Sequence, residues 1–390
     1  MHKVELTYTL AGERSVERAA AAQRDLHHPL MAILSAVHAS GSISGAARQL
    51  GLSYRHVWGE LKRWEAELGQ TLVLWAKGQP ALLSPFGEKL VWAERRALAR
   101  LAPQIEALRN ELERAFSIAF DDSAGVITMH ASHDEALPRL RDWVAQQHKL
   151  QLDIQFTGSV DALAALNEGR CLLAGFHALT DAPARSPTAR VYRPLLQPGR
   201  HKLIGFATRT QGLFVAPGNP LEIQTLADLK RPALRFVNRP RGTGTRVVLD
   251  QLLAEARVAP EQIESFERFE PSHRAAAEAV ASGSADVAFG IEAAARAKGL
   301  DFVALREERY FLVTLASHLA HPHVQTLLAA LATPEWQGSL RELPGYAASQ
   351  SGEVLSLRKV LPWWNYRTSK PAHHAAKQVQ AAQLLKPTNA

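Results

Sequence analysis

The spacing of apolar positions divides the chain into three zones. Residues 1–28 hold no sustained period and read as an N-terminal arm without an assigned role. From Pro29 to about Phe116 apolar residues recur at helical spacing, with one tight interruption. From 126 to 364 short β-branched runs alternate with Ala/Leu-rich helical stretches, the pattern of an α/β module. Phe120-Asp121-Asp122-Ser123-Ala124-Gly125 is a short, acidic, turn-rich boundary between the two, and no repeat of fixed period is present.

Within the helical zone, Leu30 to Val37 form an apolar stripe that Gly41-Ser42-Ile43-Ser44 interrupts with a stop and a new N-cap. A second helix through Ala46, Ala47 and Leu50 stops at Gly51. Ser53 then caps a third, in which Val57, Leu61, Trp64 and Leu68 share one face and Tyr54, Arg55, His56, Gly59, Lys62 and Arg63 the other. Two helices joined by a short Gly-containing turn, the second with a polar N-terminal half, predict a helix-turn-helix shaped for the major groove. Thr71 to Trp75 and Ala81 to Ser84 predict a hairpin around Lys77-Gly78-Gln79-Pro80, a wing. The candidate DNA-binding residues are Ser42, Ser53, Tyr54, Arg55, His56, Lys62, Arg63 and Lys77. A long helix after Pro85 carries Leu90, Leu98, Leu101, Ile105, Leu108 and Leu112, which suit dimerisation or packing on its own domain. The expected divisions are an arm at 1–28, a winged helix-turn-helix at 29–90, a linker helix at 91–118, an effector domain at 126–364 and a tail at 365–390.

In the α/β zone a buried strand, a small polar turn and a helix recur: 126–131 before Ser132-His133-Asp134, 152–156 before Thr157-Gly158-Ser159, 234–237 before residues 238–246, 266–270 before Pro271-Ser272-His273, and 287–290 before Ile291-Glu292. The first N–H groups of a helix lack internal partners, and parallel strands deliver such turns to one crevice, so capture of a small oxyanion is the chemistry expected. The candidate ligand residues are Ser132, Ser159, Thr243, Thr245, Arg246 and His273, with His133, His177 and Tyr310 as weaker ones. Glu292 and Asp286 are left out, because a carboxylate repels an oxyanion. The Gly242-Thr243-Gly244-Thr245 run lacks the Gly-Lys-Ser/Thr of a phosphate loop.

Composition narrows the partners. The 390 residues are 46% apolar and 21% charged, and Cys171 is the only cysteine, so no disulfide framework or cysteine-clustered metal site forms. His27-His28, His321 with His323 and His373-His374 lack acidic or cysteine companions, and no metal or cofactor is expected. No signal peptide or membrane-length apolar run is apparent, so a cytoplasmic location is expected. The net charge of +7 favours a polyanion, although Arg367, Lys370, Lys377 and Lys386 place part of it in a solvated tail.

Gly41-Ser42-Ile43-Ser44, Ala46-Ala47, Leu50 to Arg55, Trp58 and Leu68-Gly69 resemble the winged helix-turn-helix shared by ModE and LysR-type regulators, and Tyr54 to Trp58 is nearer the former. Residues 212–220, Leu226-Ala227-Asp228-Leu229, 236–246, 277–290 and Leu361-Pro362-Trp363-Trp364 resemble the periplasmic-binding-protein-like domain fused to such modules. The resemblance implies a type 2, two-lobed domain, with crossings near Phe206 and Leu312 and a ligand between the lobes. It also implies a link to molybdate or tungstate metabolism, including genes of molybdenum enzymes such as formate dehydrogenase. The small oxyanion-binding β-domains of ModE regulators are not recognisable here, so their ligand residues are not carried over.

The function expected is a ligand-responsive, DNA-binding transcription regulator sensing a small oxyanion such as molybdate or tungstate, acting as a homodimer or homotetramer on double-stranded DNA, and no enzyme. The alternatives are the same regulator sensing a carboxylate such as formate, or an oxyanion buffer that needs no DNA-binding module. No nucleophile, base and acid arrangement supports catalysis.

Overall fold

The computed structural model describes residues 28–75, 79–120 and 125–364. Nearly all of the N-terminal arm, the candidate DNA-binding residue Lys77 and the basic tail lie outside the described residues.

Helices α1 (Pro29–Ser40), α2 (Ile43–Leu50) and α3 (Tyr54–Leu68) form the first module. Their boundaries follow from local chemistry. Gly41 and Gly51 take φ of 63° and 67°, left-handed positions that a Cβ disfavours. Ser42 Oγ accepts from the Gly45 amide at 2.9 Å, and Ser53 Oγ from the His56 amide at 3.1 Å. Leu34, Val37, Ala46, Val57, Leu61 and Leu72 close the core between them, each larger side chain contributing about 1.5–3 kcal/mol. The wing pairs β1 (Val73–Leu74) antiparallel with β2 (Leu82–Leu83). It is fastened to α3 by Glu65, whose carboxylate accepts from the Leu72 amide at 2.8 Å. One helix, α4 (Pro85–Phe120), runs unbroken through the expected division at residue 90 and contains Pro103 in its interior.

The second module is built on a nine-stranded sheet. Its strands are β3 (Gly125–Ala131), β4 (Leu150–Phe156), β5 (Leu173–Ala178), β6 (His201–Val215), β7 (Phe236–Val237), β8 (Val287–Ile291), β9 (Asp301–Leu315), β10 (Tyr346–Ala348) and β11 (Val354–Leu355). The order is β4-β3-β5-β9-β6-β8-β7, with β10 and β11 added to β6. Strands β3, β4 and β5 are mutually parallel and define one lobe; β7 and β8 are parallel and define the other. The long antiparallel pair β6 and β9 belongs to both. Its register shifts at Gly205/Ala207 and Gln211/Gly212 mark the crossing, opposite residues 304–310 of β9. The expected crossing near Phe206 lies at the edge of this segment, and that near Leu312 falls slightly beyond it. The expected strand at 266–270 is corrected: it makes one isolated bridge, Asn238 with Phe269.

Helices α5 (Ala136–His148), α6 (Ser159–Asn167), α7 (Pro187–Tyr192), α8 (Gly244–Glu255), α9 (His273–Ala281), α10 (Glu292–Arg296), α11 (Pro322–Leu331) and α12 (Pro334–Arg341) cover the sheet. Residues of α6, α7 and α8 share one apolar cluster, and residues of α5, α9, α10, α11 and α12 the other. The lobes touch where the Val160 amide donates to the Gly242 carbonyl at 3.2 Å.

Candidate functional site

The N-termini of α6, α8 and α9 meet between the lobes. The first two follow a parallel strand and the third a run that bridges to one, so the positive helix ends face one place. Ser159 is the first residue of α6, Thr243 caps α8 and Ser272 caps α9. Glycine permits the close approach. A Cβ on Gly244 would lie 2.7 Å from His177 Nδ1, and one on Gly290 2.7 Å from His273 Nδ1.

Two hydrogen-bonded strings result. In the first, Ser132 Oγ lies 3.1 Å from Ser159 Oγ, which lies 3.2 Å from His177 Nδ1. In the second, Gln211 Nε2 lies 3.3 Å from Thr245 Oγ1, itself 3.2 Å from His273 Nε2. His177 Nε2, His273 Nδ1 and Tyr310 Oη are buried without a hydrogen-bond partner among the described residues. Burial holds both imidazoles well below 6.5, and the charges of Arg209 and Arg239 push further in the same direction, so both are neutral near pH 7.

Arg239 follows β7 and is 2% exposed. Its Nη2 donates to the Pro271 carbonyl at 2.9 Å, while Nε and Nη1 have no partner among the described residues. Burial, and then the nearby Arg209 charge, lowers its pKa to about 9. No carboxylate pairs with it among the described residues. Arg209, by contrast, is held in the crossing segment between Asp134 and Glu308, and Tyr346 Oη donates to Asp134 at 2.6 Å.

Of the residues expected from sequence, Ser132 and Ser159 come together, as do Thr245 and His273. His177 joins the first pair, and Tyr310 lies beside it with ring centroids 4.0 Å apart. His133 meets Phe156 with tilted rings, centroids 5.1 Å apart. Thr243 and Arg246 are engaged within their own loop and helix. Thr243 donates to the Pro240 carbonyl and caps the Arg246 amide. The Arg246 guanidinium pairs with Asp250 at 2.9 Å and lies 4.3 Å from the Phe266 ring centre. Of the two buried arginines in this loop, Arg239 is the one without a carboxylate partner among the described residues, and the sequence placed it only at the edge of the glycine-rich run. Asp286 and Glu292 pair with Arg235 and Arg296. Gln211, Arg209 and Glu308 were missed; the available signal was polar residues at alternate positions inside long strands.

On the first module, Tyr54, Arg55 and His56 are exposed at the start of α3. Tyr54 stacks on Trp58 at 6.4 Å, and the exposed Trp75 meets Trp58 edge-on at 5.4 Å. Lys62 pairs with Glu65 at 2.8 Å and Arg63 with Glu60 at 2.5 Å. Arg55 makes no ion pair among the described residues. Ser42 and Ser53 direct their oxygens to their own helices.

Residues 29–88 match the bacterial regulatory helix-turn-helix proteins of the lysR family, and residues 141–332 match the PBP superfamily domain. The chain thus joins a lysR-family helix-turn-helix to a PBP-like α/β domain. It belongs to one family with an uncharacterized Clostridium pasteurianum protein encoded in the 5′ region of a ferredoxin 2Fe-2S gene, to which it is 31% identical over 111 residues, 28% of this chain and 98% of that protein. The uncharacterized protein YvgK of Bacillus subtilis (strain 168) is 32% identical over 201 residues, 52% of this chain; the match spans 64% of YvgK's own length. The molybdenum-pterin-binding protein MopB of Rhodobacter capsulatus is 40% identical over 67 residues, 16% of this chain and 25% of that protein. Among solved structures, full-length BenM superposes with TM-score 0.39 at 16% identity, covering 77% of this chain and 93% of that one. LysG of Corynebacterium glutamicum with bound effector arginine gives 0.37 at 20%, covering 78% and 96%. No described helix is long and apolar enough to cross a membrane.

Proposed function

We propose that the protein is a DNA-binding transcription regulator whose effector is a small anion held between the two lobes. The observation that carries this reading is Arg239. A buried guanidinium with two nitrogens unpartnered among the described residues is costly unless it meets a negative charge, and its charge acts on the imidazoles of both His177 and His273. The exposed Tyr54, Arg55 and His56 on α3 give the DNA-facing half of the reading.

Charge counting favours a singly charged guest. Arg209 faces two carboxylates, Arg239 faces none, and the imidazoles are neutral. The site is therefore close to electroneutral before any guest. A monoanion adds one charge and a dianion two, and the cost of burying charge climbs steeply with its magnitude. A small carboxylate such as formate fits this count. Molybdate or tungstate is the second reading, supported by the sequence similarity to MopB; such a dianion would require His177 or His273 to take up a proton. Either effector suits control of molybdenum- or tungsten-enzyme genes such as formate dehydrogenase.

Calorimetric titration of the full chain with formate, molybdate, tungstate and sulfate tests the reading. Formate is expected to bind without proton uptake, and molybdate only with it. Binding by none of these, alongside binding of a neutral organic effector, sinks the anion assignment.

A further inference from the structure

Helix α4 joins the DNA-binding module to the effector module, and Pro103 sits in its interior. Proline has no N–H, so the carbonyl four residues earlier, that of Ala99, loses its helical donor. Across the interface, Ser272 Oγ donates to this Ala99 carbonyl at 3.3 Å. The next residue, Arg100, grips Glu270 through two parallel bonds, Nε to Oε2 at 2.7 Å and Nη2 to Oε1 at 2.6 Å. Glu270 is 1% exposed on its side chain and Arg100 51%, so a buried carboxylate of the effector module takes its cation from the linker.

The segment that begins at Glu270 also reaches the candidate anion site. Pro271 presents its carbonyl to Arg239 Nη2, Ser272 caps α9, and His273 ends the string with Thr245. The segment has the linker helix on one side and the Arg239 guanidinium on the other.

We propose that Glu270–His273 and the Pro103 turn of α4 form a joint that passes the state of Arg239 to the linker helix, with Arg100 as its positioning residue. The proposal rests on the anion-site reading for its physiological meaning. The joint itself is testable with neither anion nor DNA. A guest drawn to Arg239 shifts the Pro271 carbonyl, and the shift reaches α4 through the Glu270 fork and the Ser272 hydroxyl. The proline provides the acceptor that an unbroken helix would keep for itself.

Amide hydrogen exchange on the full chain tests the joint in both directions. In Arg239→Met, amides of 98–104 are expected to lose protection at least threefold relative to wild type, although the change lies in the effector module. In Arg100→Gln, at a half-exposed position, amides of 270–277 are expected to lose protection to a similar degree. Pro103→Ala supplies an N–H for the Ala99 carbonyl; it is expected to raise protection in α4 while lowering it at 273–276. Unchanged exchange across the interface in Arg100→Gln and Pro103→Ala overturns the joint. An absent anion effect on DNA binding, with these exchange changes present, instead overturns the functional reading.

Discussion

Arg239→Met separates an anion-binding guanidinium from a structural tie. Methionine keeps most of the length and apolar bulk and removes the charge. Wild-type Arg239 has a pKa lowered to about 9 from 12.5, which bounds the unfavourable burial of its charge at about 5 kcal/mol. Relaxation reduces such penalties, and replacing buried charge by apolar groups typically stabilises by about 1–4 kcal/mol. Loss of the hydrogen bond to the Pro271 carbonyl offsets about 1 kcal/mol of this. The net expectation is a change between neutral and a gain of about 3 kcal/mol, or a Tm rise of up to about 10 °C for a module of this size. The anion response moves the other way. A guest at one hundred times its Kd stabilises wild type by about 2.7 kcal/mol, and the variant is expected to show no such shift. Thermal unfolding with and without formate, followed by calorimetric titration, reads both quantities. A variant with a Tm lowered by 5 °C or more and anion binding intact would refute the reasoning, because Arg239 would then be holding residues 270–273 in place and nothing else.

Three further outcomes follow from the geometry. His177 and His273 are held well below 6.5 in the folded protein by burial and by the two arginines, so on acidification the unfolded chain takes up protons that the folded one refuses. Stability therefore falls as pH drops below 6.5, by about 1 kcal/mol per imidazole down to pH 5.5; denaturant titration of His273→Gln is expected to show about half the loss. Gly244→Ala places a Cβ 2.7 Å from His177 Nδ1 and 3.0 Å from Ser159 Oγ, so despite better helix propensity it is expected to destabilise by about 1–3 kcal/mol and weaken anion binding, measured by thermal unfolding and calorimetry. Arg55→Ala is expected to reduce specific DNA affinity by about 1–3 kcal/mol and non-specific affinity much less. Lys62→Ala, at a position already paired with Glu65, is expected to change mainly the salt dependence; equal losses of both affinities for Arg55→Ala in a gel-shift titration would remove it from base readout.

Local chemistry made much of the architecture legible. Ser42, Gly51 and Ser53 state where helices start and stop through their own side chains or their lack of one, and α1–α3 fall where the apolar stripes put them. Long-range pairing was harder to read. Strands β6 and β9 owe their length to each other, not to a strong local pattern, and the run 266–270 has strand-like composition but only Asn238 to pair with. The candidate site was legible where a turn follows a parallel strand, as at Ser132 and Ser159, whereas His273 follows a run that makes a single bridge. The site was illegible at Arg239 and Arg246, two arginines in one loop. Which of them is paired depends on whether Asp250, one helical turn further along α8, comes within reach.

If the joint at Pro103 couples the two modules, the coupling is reciprocal: a factor by which anion changes DNA affinity must equal the factor by which DNA changes anion affinity. Typical couplings are 5–150-fold, about 1–3 kcal/mol, and the Arg100–Glu270 fork is of a size to carry one, since hydrogen bonds between charged groups each contribute about 1.5–3 kcal/mol. Anion titrations with and without a saturating DNA site therefore measure the same quantity as DNA titrations with and without anion. In Arg100→Gln both factors are expected to fall together toward one, while anion binding to the free protein stays within about threefold of wild type. A variant that keeps one factor and loses the other violates the cycle and exposes a change in oligomeric state. A variant that keeps both shows that the lobes communicate with the DNA-binding module by some route other than this contact.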